Sequence, residues 1–275
     1  MKQKLEIFAR WFKGMCRKLP QLLKTTASMT LGSLETALVC LLLLAALCML
    51  NTAQVVRSWH SEVGLLLQLS GSIIIMPVAA CMMTYAVGAC WERRRVSLID
   101  AAHLVRIRIR ELLLTALAVG AVGMGVNWLG TLLSSLIEGL ALLTWIPVFG
   151  HIVAGSIAAT LWLIALAMEY VVHVVLTAGM AALTADGLSG RAQAARVLDV
   201  LRGGWKNMRD ELTLIFGMWI AVRATFELLS YFGASFYTLL SWDVANALMI
   251  VISTAAVSVT YLQQRDCQDG TSYYA

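Results

Sequence analysis

The chain has 275 residues, 60% of them hydrophobic and 13% charged, with a mean hydropathy of +0.78. A soluble domain carries about a quarter charged residues, so this composition excludes an ordinary globular enzyme and indicates a polytopic membrane protein. At about 20 apolar residues per span there is room for about six spans and no sizeable extramembrane domain. The net charge of +5 comes from basic residues that flank apolar stretches. That pattern points to membrane topology and anionic headgroups rather than nucleic acid.

Within residues 1–30, the first 24 lack the continuous apolar core and small-residue cleavage site of a signal peptide. Leu5, Phe8, Phe12, Met15, Cys16 and Leu19 recur at spacings of three and four, opposite Lys4, Arg10, Lys13, Arg17 and Lys18. The spacing predicts a basic helix lying in the membrane interface; the alternatives are an exposed helix or one packed on another loop. Residues 31–90 hold two spans, near 31–56 and 63–90, joined by RSWHSE and therefore antiparallel. Pro77 is expected to kink the second.

Residues 91–110 carry six arginines, among them Arg93, Arg94, Arg95 and Arg106. Ser97-x-x-Asp100 reads as the start of a helix with a capping box, and Leu98, Ala101, Ala102, Val105, Ile109 and Leu112 give it one apolar stripe. It feeds directly into a third span. From Leu140 to Leu183 there is no lysine, arginine or aspartate. Flanking charge decides how this stretch is used: with six spans and an inner N-terminus, 19 of the 21 lysines and arginines lie on the cytoplasmic side. Residues 111–183 are thus spans three and four, with 140–156 as an outer turn or re-entrant segment around Trp145-Ile-Pro-Val-Phe-Gly150. Residues 184–211 form a third basic helix, containing Arg196 and Arg202. Spans five and six occupy 212–262, and the polar tail 263–275 is expected to be disordered.

The predicted fold is an all-α bundle of six transmembrane helices with three basic amphipathic interfacial helices on the cytoplasmic side. Trp59, Trp145 and Trp242 fall at its outer boundary and Trp11, Trp91 and Trp205 at its inner one, where amphipathic rings belong. Glu35, Glu111 and Glu211 each open an odd-numbered span after a basic segment. This suggests a unit of helix plus hairpin used three times, although a carboxylate at a helix N-terminus is also what the helix dipole favours.

The segments SLIDAAHLVRIRIRELLLTALAV and GLSGRAQAARVLDVLRGGWKNMRDELTLIFG resemble a recurring phrase of uncharacterised prokaryotic six-span families related to the membrane domain of glycerophosphodiester phosphodiesterase. The resemblance covers about half the chain. It implies a six-span membrane protein of a prokaryotic cytoplasmic membrane and carries over no catalytic residue. Arg202-Gly-Gly-Trp205 departs from the pattern, which has an unbroken helix there.

Charges within a bilayer normally face the bundle and find partners. Glu169 and His173 in span four and Arg223 and Glu227 in span five form such a set, with Asp243 and Asn246 opening span six. Arg223 is expected to pair with Glu169, Glu227 or both. The cluster reads either as a substrate, proton or ion site or as structural pairing between spans. Met76 and Met83 are seven apart on one helical face beside Cys81 and Met82, but no second sulfur cluster accompanies them, so no metal is predicted. The six cysteines and the histidines His60, His103 and His151 show no ligand spacing, and no nucleophile elbow, phosphate loop or dinucleotide fingerprint occurs.

The sequence therefore predicts a non-enzymatic protein without cofactor, with both termini cytoplasmic. It would act as a membrane subunit or scaffold whose basic collar contacts anionic lipid or a protein partner, through Lys4, Arg10, Lys13, Arg17, Arg93, Arg94, Arg95, Arg106, Arg196 and Arg202. The alternative is a transporter or channel for a small solute or lipid that uses the polar cluster.

Overall fold

The computed structural model describes residues 2–57, 71–140, 149–233 and 235–270, and among these there is no strand. The helices are α1 (Lys2–Gly32), α2 (Leu34–Arg57), α3 (Met76–Trp91), α4 (Leu98–Ile107), α5 (Ile109–Leu140), α6 (Phe149–Ala185), α7 (Gly190–Tyr231) and α8 (Phe236–Asp269), with a π-helical turn, Gly71–Ile75, leading into α3. Three described segments are long and apolar enough to cross a membrane: Ile73–Trp91, Gly155–Ala185 and Phe236–Asp269. A fourth qualifies if Arg17–Gly32 and Leu34–Leu50, bent by 95°, count together.

That bend falls where the basic segment ends and the apolar run begins. At the bend the buried Ser33 hydroxyl donates to the Met29 carbonyl at 2.9 Å, satisfying one of the acceptors that the end of α1 leaves open. Pro77 sits in the first turn of α3, where a missing N–H costs little. Its ring would crowd the carbonyl four residues back, at Ile73, and the backbone there widens into the π turn instead of kinking sharply.

The Ser97–Asp100 capping box is formed in both directions. The Ser97 backbone N–H and hydroxyl hold the Asp100 carboxyl below its usual range. The cap's contribution is thus complete above the ordinary carboxylate pKa and is lost as pH falls through the lowered value. At the end of α3, Arg94 N–H reaches the Ala89 carbonyl (2.8 Å) and Arg93 N–H the Cys90 carbonyl (3.0 Å). This is a Schellman closure, and it places Arg93 at φ 58°, a left-handed position that glycine usually fills.

The centre of the bundle is α8 with α3. α8 packs on α1, α2, α3, α6 and α7. Its buried run Ser253, Thr254, Ala255, Ala256 and Ser258 presents small side chains, as does Ala79, Ala80, Cys81, Ala86 and Ala89 on α3. Small residues let helices approach closely where lipid offers apolar groups no reason to leave it. The outward positions are large: Leu34, Leu38 and Leu42, one turn apart on α2, are all exposed. α5 lies at the periphery, mainly against α6.

Four expectations change. Residues 149–156 belong to α6 and not to an outer turn; residues 141–148, with Trp145, lie outside the described set, as do residues 58–70. The tail is helical to Asp269, and Gly270 at φ 68° closes the helix. The three basic junctions also differ: a right-angle break at Ser33, an interruption at Arg108 and no break in α7.

The fourth concerns Arg202-Gly-Gly-Trp205, which does not interrupt α7. The glycines are contact positions. A Cβ on Gly204 would overlap Gln264 Cγ, and one on Gly203 would overlap Gln268 Nε2. They hold α7 close to α8, and this closeness offsets the ~1 kcal/mol that a helix-interior glycine costs. Gly204→Ala should therefore destabilise by about 1–3 kcal/mol through overpacking. Gly217→Ala, on the same helix with nothing within 4 Å, should be neutral or stabilising by ~1 kcal/mol. Thermal unfolding of both variants in detergent checks the difference in sign.

Candidate functional site

The polar residues that the sequence places within spans divide into two groups. Glu169 of α6 and Arg223 of α7 form an ion pair, Arg223 Nη2 donating to Glu169 Oε1 at 2.8 Å. The pair lies on the outside of the bundle, with 35% of the Arg223 and 47% of the Glu169 side chain exposed. Together with the buried Asp243 of α8, it lies within electrostatic reach of the Cys48 thiol on α2. Asn246 is buried one turn further along α8. The Glu227 side chain is outside the described set.

His173 takes the opposite side of the boundary. Residues four apart differ by about 40° around a helix, and on α6 the surface gives way to interior between Glu169 and His173. His173 is 4% exposed. Its Nε2 meets Ser253 Oγ of α8 at 3.0 Å, and its ring packs on Trp219 of α7 with centroids 5.2 Å apart. Tyr170 continues this aromatic seam, edge-on to Trp219 and donating its hydroxyl to the Leu212 carbonyl at 2.8 Å. The inward-facing positions are thus filled by rings, and the long charged side chains extend outward past them. Two buried atoms here, Thr177 Oγ1 and Trp219 Nε1, have no hydrogen-bond partner among the described residues.

A denser set of charges lies where α3, α6 and α8 end together. Asp186, just after α6, accepts from the Tyr261 hydroxyl (2.9 Å) and Arg265 Nη1 (3.2 Å), with Arg196 Nε at 3.6 Å. Arg265 also grips Asp266 through Nε (3.0 Å) and Nη2 (2.8 Å), and Asp266 accepts the Trp91 indole N–H at 2.8 Å. Arg196 reaches on to Asp269. Arg265 and Asp266 are 7% and 4% exposed and Tyr261 is fully buried. Each charge here has a partner and further hydrogen bonds, which is the condition for burying ions without a large desolvation loss.

Two further contacts tie the basic helices to this end. The buried Gln193 donates to the Gly179 carbonyl (2.7 Å) and accepts from the Thr115 hydroxyl (3.0 Å), joining α7 to α6 and α5. Lys18 of α1 pairs with Asp210 of α7 at 3.1 Å. Sequence reasoning missed this lattice because it treated the tail as free. The available signal was the absence of any glycine or proline between Leu262 and Gly270.

The basic contact residues are sorted by the same geometry. Lys13, Arg17, Arg93, Arg94, Arg95, Arg106 and Arg202 are exposed. Arg196 is not available to a lipid or partner in the way the sequence suggested, since Asp186 and Asp269 hold it in the lattice. Lys4 and Arg10 have side chains outside the described set. No group of three or more histidine, cysteine, aspartate or glutamate side chains is placed to hold a metal among the described residues. Comparison with protein-family models, curated proteins and solved structures finds no match to the chain.

Two outcomes follow. A chain ending at Leu262 loses Arg265 and Asp266 and leaves Asp186 and Trp91 without their main partners. Removing one side of a buried pair costs about 3–5 kcal/mol, so this truncation should fail to give a folded monodisperse protein, whereas one ending at Gly270 should purify normally. Arg223→Leu should lower the melting temperature by leaving Glu169 alone, at about 2–3 kcal/mol for an unpaired charge in hydrocarbon. The double change with Glu169→Leu should recover most of that loss.

Proposed function

We propose that the chain is a non-enzymatic integral membrane protein of a prokaryotic cytoplasmic membrane, with six spans, both termini cytoplasmic and a basic collar that binds anionic phospholipid. This agrees with what the resemblance to the six-span families implies. In this reading α1, α4 and the first half of α7 form the collar, and the protein acts as a membrane subunit or scaffold.

The observation that carries the reading is Arg93. It occupies a left-handed backbone position in the closure of α3, where glycine would avoid a strain of roughly 1 kcal/mol. An exposed arginine stands there, directly followed by the exposed Arg94 and Arg95. Unfavourable backbone geometry of this kind concentrates where a side chain has a use beyond the fold. The ion-paired lattice beneath supplies a fixed platform, so the arginines meet a surface without ordering a loop first. Transport is the alternative reading, and it would use the partly exposed Glu169–Arg223 pair; the small cavity beside His173, about 10 Å³, has room for about one water molecule.

Arg93→Gly discriminates a functional arginine from an incidental one. It should raise the melting temperature slightly while lowering anionic-lipid retention about fivefold, since each basic residue at a charged surface contributes ~1 kcal/mol. Replacing Arg93, Arg94 and Arg95 together by serine should cost about 100-fold at low ionic strength and much less at high salt. Native mass spectrometry of protein reconstituted with phosphatidylglycerol or phosphatidylcholine measures the retention. Equal retention of the two lipids, or no response to the triple change, would sink the proposal.

A further inference from the structure

The methionine pair that the sequence left without a role gains a third donor in the fold. Met76 and Met83 of α3 and His173 of α6 line one small cavity, closed by Leu44, Leu176 and Thr254. His173 Nδ1 is buried and has no hydrogen-bond partner among the described residues.

The ring's hydrogen bond allows that nitrogen to be a ligand. Ser253 Oγ lies 3.0 Å from His173 Nε2 and 3.0 Å from the Ile250 carbonyl, so either the ring or the hydroxyl can supply the proton between them. In the tautomer whose Nε2–H donates to the hydroxyl, Nδ1 carries the free lone pair. A ligating histidine is commonly held in this way, one nitrogen donating to a fixed acceptor so that the other faces the ion.

The cavity, at about 10 Å³, accommodates one atom-sized species. A water would need two to four polar partners. The side chains around it offer the His173 nitrogen and Thr254, whose hydroxyl proton is already given to the Ile250 carbonyl at 2.8 Å. The remaining donors are two thioethers, which hydrogen-bond poorly and bind soft metals well. One imidazole and two thioethers suit a soft, monovalent, low-coordinate ion. The apolar surroundings disfavour a divalent ion, whose greater charge would have no carboxylate to balance it.

We infer that Met76, Met83 and His173 form a buried site for a single Cu(I) ion between α3 and α6. The flexible methionines close on the ion, and the Ser253-anchored imidazole supplies the fixed ligand. The site is separate from the basic collar, and its occupancy does not depend on the lipid-binding reading.

The experiment is an anaerobic titration of the full-length protein in detergent with Cu(I) against a chromophoric chelator, comparing wild type with Met76→Leu/Met83→Leu. Leucine for methionine nearly conserves volume, so the variant's circular dichroism and melting curve should match wild type. All six cysteines are present in both proteins, so thiol-bound copper cancels in the comparison. The expected result is that wild type retains one more Cu(I) equivalent than the variant, with at least tenfold tighter binding of that equivalent. Equal retention would overturn the site and assign the copper to the thiols. Should the double variant fold poorly, copper X-ray absorption on wild type loaded with one equivalent decides alone. Mixed sulfur and nitrogen scattering supports the site, and sulfur-only scattering overturns it.

Discussion

The arrangement of the helices depends on how a few charges are buried where α3, α6 and α8 end. Asp186 and Arg265 are the hinge of this lattice: one carboxylate receives a phenol and two guanidinium groups, and one guanidinium bridges two carboxylates. Apolar contact alone would fix the spans poorly, because hydrocarbon solvates a leucine as well as another helix does. Directional pairs at the helix ends remove that freedom. They set the axial register of α3, α6 and α8 together, since a slide by one residue would leave Trp91, Tyr261 or Arg265 facing the wrong group.

Small residues complete the arrangement from within. Ser253, Ala255 and Ala256 are buried on α8 and Ala79, Ala80 and Ala86 on α3, so the central helices present small side chains to the interior. The glycines of α7 do the same against Gln264 and Gln268. Polar side chains in this core mostly return their protons to their own helix: Ser258 to Thr254 and Thr260 to Ala256. His173 instead reaches across to Ser253, and its other nitrogen has no partner among the described residues.

The local features were legible because they depend on near neighbours: the Ser97 capping box and the change of course near residue 31 follow from spacing and charge. The Arg223–Glu169 pair joins two helices and was legible for another reason, that a charge among apolar residues needs a partner. What spacing could not give is which side of a helix becomes interior. Glu169 and His173 share a face in any helical projection, yet one is on the surface and the other is sealed in, a difference decided by Trp219 and Ser253 on other helices. Gly203 and Gly204 mislead for the same reason, since a glycine pair has the same local signature whether it breaks a helix or admits a neighbour. The tail was misjudged because Gln264, Arg265 and Asp266 are polar by composition and buried by circumstance. Met76 and Met83 needed a histidine ninety residues further along the chain, which no local pattern connects to them.

The continuity of α7 has a mechanical consequence. Forty-two residues of uninterrupted helix measure about 63 Å, roughly twice the hydrocarbon thickness of a bilayer. One rod therefore carries Gln193 and Arg196 near one end, the Gly203–Gly204 contact along its length and Arg223 towards the other. A helix resists torsion because each turn is bonded to the next, so a twist imposed at Arg202 reappears at Arg223 as rotation about the same axis. α1 and α2 lack this property, because the right angle at Ser33 lets one turn without the other. Two of the three joints between basic and apolar segments are thus opposites, a crank at Ser33 and a driveshaft in α7, with the interruption at Arg108 between them in kind.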